Sequence, residues 1–125
     1  MSDNGNRPPS VESVSKWVPF QDGRTIGRRG DDYGEIIRDE EHFDGARITL
    51  EKGGHNAPFA ITCGVYNWMV HTCFYLDQLT AEDEFAAMKG DIEQILSLIP
   101  RVDVDDLDNR LSSIDDAISD FVERF

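Results

Sequence analysis

Long apolar runs are missing from this sequence of 125 residues. A helix that crosses a membrane needs about 18–20 consecutive apolar residues, and no run approaches that length. Residues 1–10, MSDNGNRPPS, also lack the charged and then apolar segments of a secretory signal. We therefore expect no contact with a membrane. If residue 1 begins the mature chain, we expect a cytoplasmic protein.

Cysteine and histidine are scarce, and their spacing does not suggest a metal centre. The chain has two cysteines, Cys63 and Cys73, and three histidines, without a C-x-x-C or an H-x-x-x-H pair. The acidic segment from Asp103 to Asp108 also lacks the central glycine of an EF-hand loop. We expect no metal and no cofactor. In a reducing compartment both thiols should be free.

Basic residues are outnumbered by acidic ones, 12 against 25, so the net charge is −13. Residues 77–125 hold fourteen acids and four bases, a net charge of −10. Such a field repels nucleic-acid phosphates and anionic lipids and attracts basic proteins. We expect a partner with a basic surface and no nucleic acid. The alternative is that the charge serves only to keep the protein in solution.

One basic cluster is present, GRTIGRRGDD at residues 23–32. It lacks the glycine spacing and the G-K-[ST] ending of known phosphate-binding loops. Arg28 and Arg29 are candidates to hold an anionic ligand. The alternative is that they pair with some of the many acidic side chains.

The sequence pattern predicts an α+β domain at residues 10–125, preceded by a flexible tail at residues 1–9. Ser10 is placed to cap a short helix that Pro19 ends. Strands are predicted at 33–38 and 46–51, with an acidic turn at 39–41, followed by a hairpin at 58–75. After residue 79 the apolar period lengthens, which predicts two helices separated by Pro100. The expected fold is a four-stranded, mainly antiparallel sheet with one face covered by the C-terminal helical hairpin.

The hairpin assigns both cysteines to faces of the sheet. With Tyr66 and Asn67 at its tip, Cys63 faces the core together with its apolar neighbours, including Val70 and Phe74. The other face then carries Thr62, His71, Cys73 and Tyr75. A three-residue loop would bring the two cysteines onto one face, but it would scatter the apolar residues across both. We therefore prefer the two-residue tip.

Two functional hypotheses follow, and the sequence favours the one without catalysis. The first is a small acidic protein-binding domain, such as an inhibitor or immunity-type protein that masks a basic partner. The second is a small enzyme or ligand-binding domain that uses the Thr62/His71/Cys73 sheet face, with His71 and Cys73 as weak catalytic candidates. A third interpretation is a homodimer joined through the helices or that sheet face. The candidate binding residues are Asp105, Asp108, Asp115, Asp116, Arg28 and Arg29.

Overall fold

The computed structural model describes residues 15–99 and 107–125, with side chains from residue 109 in the last segment. It contains one five-stranded antiparallel sheet followed by two helices, which confirms the α+β architecture. The sheet has one strand more than predicted, and the strands lie in chain order. They are β1 (Trp17–Pro19), β2 (Glu35–His42), β3 (Ala46–Lys52), β4 (Phe59–Val65) and β5 (Met69–Tyr75). The helices are α1 (Gln78–Leu98) and α2 (Leu107–Arg124).

The additional strand, β1, replaces the end of the predicted N-terminal helix. Trp17 pairs with His42 of β2, and its ring meets the His42 ring edge-on at a centroid distance of 5.0 Å. Pro19 ends the strand at the edge of the sheet, where its missing N–H costs no ladder hydrogen bond. A tight turn, Phe20–Gly23, follows directly, with Gln21 and Asp22 in the left-handed region at φ values of 49° and 57°. The predicted tail and the start of the predicted helix lie outside the described residues.

Strand β2 runs through the segment that was predicted to be an acidic turn. The three acidic side chains of residues 39–41 are all partnered: Asp39 with Arg47, Glu40 with Lys89, and Glu41 with the Tyr66 hydroxyl. These partners offset the low strand propensity of acidic residues. The chain turns instead at residues 43–45, where Gly45 has a φ of 113°.

The predicted phase of the β4–β5 hairpin is wrong. Thr62 pairs with Thr72, and Val65 with Met69, so the loop holds three residues instead of two. Asn67 takes a φ of 72° in that loop, a left-handed conformation that asparagine tolerates well. The extra loop residue moves each side chain of β5 to the opposite face of the sheet. His71 and Cys73 consequently face the same side as Cys63, and Val70 and Phe74 face the other.

The core lies between the sheet and α1. Asp77 caps this helix by accepting a 2.8 Å hydrogen bond from the Thr80 N–H. The predicted apolar stripe of α1 is buried against the sheet, and α2 packs beside it through Ile114 and Phe121. The core side chains include Ile48, Leu50, Ile61, Cys63, Phe85, Met88, Ile92 and Ile95.

The opposite face of the sheet, called the open face below, is not covered by a helix in the described parts of the chain. It carries alternate residues of the strands, such as Thr49, Thr62, Val70 and Phe74. The segment at residues 20–34 lies against it, because Thr25 bonds to Asp39 and the chain near residue 32 bonds to Glu51. The fold therefore separates a helix-covered face from a face that solvent can reach.

Candidate functional site

A groove of about 700 Å³ lies on the open face. Its walls come from the segment at residues 29–31, from the middle of β3 and β4, and from the β4–β5 loop. The side chains of interest here are Arg29, Arg47, Thr49, Thr62, Tyr66 and Val70. The groove thus combines two guanidinium groups, hydroxyls and an aromatic ring.

A buried carboxylate fixes the floor of the groove. The Asp39 side chain is fully buried and accepts hydrogen bonds from the Thr25 and Thr49 hydroxyls at 2.7 and 3.0 Å. Arg47 donates to both of its oxygens, at 2.9 and 2.7 Å. This hydrogen bonding raises the pKa of Arg47 above its ordinary value. Because the guanidinium also lies 3.8 Å from the Phe20 ring centroid, Arg47 is held in place on both sides.

Tyr66 stands at one end of the groove. Its hydroxyl donates a 2.7 Å hydrogen bond to Glu41, and its ring remains substantially exposed. Burial of the hydroxyl, together with the Glu41 carboxylate, raises the pKa of Tyr66 to about 12. The phenol therefore stays protonated at neutral pH. It is a hydrogen-bonding and stacking group here, not a general base.

The wall at residues 29–34 is held by a second buried carboxylate. Glu51 is inaccessible to solvent, and its Oε1 accepts hydrogen bonds from the N–H groups of Asp32 and Gly34 at 3.0 and 2.9 Å. Gly30 lies so close to it that an added Cβ would sit 2.5 Å from Oε2 of Glu51. Asn56 donates both its backbone and its side-chain N–H to Asp32, and these bonds lower the pKa of Asp32.

Of the two arginines predicted to hold an anion, only Arg29 lines the groove. Arg28 and Arg29 are both exposed, and neither forms an ion pair within residues 15–99 or 107–125. The Arg29 guanidinium carbon lies 5.9 Å from the Tyr33 ring centroid. The alternative that these arginines pair with acidic side chains is therefore wrong for the described residues, and anion binding stays a prediction.

The predicted Thr62/His71/Cys73 face does not exist as one surface. Thr62 lies on the open face, whereas His71 and Cys73 face the helices. The His71 ring packs edge-on against Phe121 at a centroid distance of 6.1 Å, and the Cys73 thiol donates to the main-chain oxygen of Phe125 at 2.9 Å. The three-residue loop, which moves each side chain of β5 to the other face, is the physical reason for this reversal, and α2 covers the face on which His71 and Cys73 then lie.

Both thiols are poorly suited to nucleophilic chemistry. Burial raises the pKa of Cys63 to about 12, and burial also raises the pKa of Cys73. The thiolate is the reactive form, so its population at neutral pH is very small. The two cysteines are free of a disulfide, as predicted. Among the described residues, this region carries core packing in place of the catalytic pair considered from the sequence.

The outer surface of the helices is acidic. Asp115 and Asp116 are exposed on α2, as are Asp120 and Glu123. Asp105 and the side chain of Asp108 lie outside the described residues. Two basic side chains of the helices are engaged within the domain: Lys89 bonds to Glu40 at 2.6 Å, and Arg124 bonds to Asp91 at 2.7 Å.

Sequence reasoning missed the groove and its Asp39–Arg47 pair. One signal was available, because Arg47, Thr49 and Glu51 alternate with the apolar residues of β3 and so share a polar face. The position of Asp39 beneath that face could not be inferred while residues 39–41 were assigned to a turn.

Within the described ranges, no three or more histidine, cysteine or acidic side chains are arranged to hold a metal ion. No helix there has the length and apolar character that a membrane crossing requires. Comparison with protein-family models, with curated proteins and with solved structures finds no match to this chain.

Proposed function

We propose that this chain is a non-catalytic, acidic domain that binds a protein with a basic surface, as an inhibitor or immunity-type protein does. The observation that supports this proposal most directly is the imbalance of charge on the helices. Lys89 and Arg124 form ion pairs with acids of the domain itself. In contrast, four acids of α2 are exposed to solvent: Asp115, Asp116, Asp120 and Glu123. Along α2 a partner therefore meets four carboxylates, none of which forms an ion pair within the described residues.

An apolar side chain lies among these acids. Val122 is exposed, and it follows Asp115 by two helical turns, with Ser119 between them on the same side of α2. Interfaces of charged proteins commonly use surrounding charges for the rate of encounter and a central apolar contact for affinity. Val122 is suited to be that contact. Asp115 is the acid that shares this side of the helix with Val122, whereas Asp120 and Glu123, two residues before and one after it, project to other sides.

The test uses a lysine-rich amphipathic peptide as a probe, titrated into isotope-labelled protein while amide chemical shifts are recorded. We expect the shifts to change along α2 and the affinity to fall as salt is added, because salt screens exposed charges. The Asp115→Asn/Asp116→Asn variant should bind several-fold more weakly. Asp22→Asn/Glu35→Gln is the matched control, since it removes the same charge from exposed positions away from the helices.

Equal weakening by both double variants would show that only net charge matters, with no defined surface. Unchanged binding by the α2 variant, or chemical shifts confined to the open face, would overturn the proposed contact. The Val122→Ser variant separates the apolar contribution, because it leaves the charge of α2 unaltered.

The groove on the open face supports a second candidate function, the binding of a small anionic ligand. It offers the fixed guanidinium of Arg47, the ring of Tyr66 and the guanidinium of Arg29, which forms no ion pair within the described residues. An aromatic carboxylate matches this set, because guanidinium groups bind carboxylates in bidentate fashion and stack on rings. A panel of such acids should raise the melting temperature of the protein. Arg29→Gln should abolish the rise, whereas Arg28→Gln, outside the groove, should preserve it.

A further inference from the structure

The two edges of the sheet differ in how well they are protected from pairing with another strand. Strand β1 is three residues long and ends on a proline. Strand β5 is seven residues long, MVHTCFY, without a charged residue or a proline, and its register with β4 is continuous. Short length, proline, charge and bulges are the usual means by which an edge strand avoids pairing. Strand β5 has none of them.

The exposed side chains along this edge are apolar. Val70 is 80% exposed and Phe74 is 49% exposed, both on the open face, and Leu76 just after the strand is 84% exposed. Thr72 lies between Val70 and Phe74 on that face, where its hydroxyl is 3.2 Å from the hydroxyl of Thr62. This row of side chains lies beside the backbone groups of a strand edge that pairs with no other strand of the described residues.

We propose that a second copy of this chain pairs with β5, antiparallel and centred on Thr72, to form a symmetric dimer. In this register Val70 of each copy lies opposite Phe74 of the other, and Thr72 lies opposite Thr72. Apolar cross-strand pairs of this kind stabilise antiparallel sheets. The two-fold axis is perpendicular to the sheet, so both open faces lie on the same side of one continuous sheet.

Charge is the reason for choosing a second copy as the occupant. Each copy carries a net charge of −13, so two copies repel each other over most of their surfaces. Strand β5 is uncharged, and in the proposed register the first acid beyond it, Asp77, lies opposite the neutral Asn67. Within the paired strands no like charges therefore lie opposite each other, and the sequence of β5 is self-complementary. The acidic helix α2 packs on the helix-covered side of β5, so the two copies of α2 approach each other across the axis, and added salt reduces that repulsion.

The salt dependence distinguishes this dimer from the binding of a basic partner proposed above. Screening weakens attraction between opposite charges, and it equally weakens repulsion between two acidic copies. The dimer should therefore become tighter as salt is added, whereas the contact with the lysine-rich peptide should become weaker. The failure of one proposal leaves the other standing.

The experiment measures mass by sedimentation equilibrium over a range of protein and salt concentrations. We expect wild-type protein to approach twice 14.1 kDa as either concentration rises. Val70→Lys should raise the dissociation constant by about tenfold or more, because it places a charge at the pairing edge. Phe43→Lys is the matched control: Phe43 is 71% exposed, the charge change is identical, and the residue lies outside β5. It should leave the dimer intact.

A chain that stays monomeric under all these conditions would overturn the proposal, and so would a dimer that Val70→Lys leaves unchanged. Hydrogen exchange of the wild-type protein provides a second measurement that needs no variant. Amides of residues 69–75 that point away from β4 should gain protection as the protein concentration rises. Protection gained on α2 instead would indicate a helical interface and contradict pairing at β5.

Discussion

Asp39 and Arg47 form a bidentate ion pair diagonally across β2 and β3, with N–O distances of 2.9 and 2.7 Å. The carboxylate is fully buried, and the guanidinium is partly exposed. Two threonine hydroxyls complete the hydrogen bonding of Asp39. This pair holds an acidic residue inside a strand and at the same time fixes a cation at the floor of the groove.

Removal of Arg47 should destabilise the fold more than removal of an ordinary surface arginine. Arg47→Gln leaves the buried Asp39 carboxylate with hydroxyl donors alone, which we expect to cost about 2–4 kcal/mol of unfolding free energy. Asp39→Asn/Arg47→Gln should cost less than the sum of the two single changes, because the uncompensated charge is gone. Urea denaturation measures all three. Additive effects would show that the pair is not energetically coupled.

The thiols should be inert in the folded protein. Because burial raises the pKa of Cys63 to about 12, alkylation by iodoacetamide at pH 8 should be far slower than for a free thiol. In denaturant, without a reducing agent, both cysteines should react, since neither is in a disulfide. Mass spectrometry counts the modified sites. Rapid modification of Cys73 in the native protein would show that the contact with residue 125 does not shield it.

Alanine substitution at two glycines, Gly30 and Gly90, should change the unfolding free energy in opposite directions. An added Cβ at Gly30 would lie 2.5 Å from the Glu51 carboxylate, whereas at Gly90 it would meet nothing within 4 Å. Gly30→Ala should therefore cost about 1–3 kcal/mol, because the wall of the groove must shift. Gly90→Ala in α1 should gain about 0.5–1 kcal/mol of stability. Chemical denaturation compares the two variants. A neutral Gly30→Ala would mean that Glu51 can move without loss.

The parts of the fold that could be predicted from the sequence are those in which apolar residues repeat at one regular spacing. The stripe Phe85, Met88, Ile92 and Ile95 repeats at helical spacing, and the structure buries it as expected. Strand β1 could not be predicted in this way, because a three-residue strand is too short to show a period. Its Trp17 equally suits a short helix. Its place in the sheet comes from pairing with β2, which is distant in sequence.

The candidate site was less predictable, because it depends on which face of the sheet the helices cover. The prediction assumed that Val70 and Phe74 are buried, since most large apolar side chains are. At an edge strand this assumption fails, and one residue more in the loop moves every side chain of β5 to the other face. His71 and Cys73 then exchange places with the apolar residues. No local pattern determined the length of that loop.

The phase of the hairpin can be tested by truncating two residues that the sequence placed together in the core. Ile61 is fully buried, so Ile61→Ala should cost about 2–5 kcal/mol through lost contacts and the cavity left behind. Val70 is 80% exposed on the open face, so Val70→Ala should change the unfolding free energy by only about 0.5 kcal/mol. Urea denaturation at low protein concentration, where pairing between copies is minimal, gives both values. If Val70→Ala lowered the unfolding free energy as much as Ile61→Ala, Val70 would be a core residue. The two-residue turn would then be correct, with His71 and Cys73 on the open face.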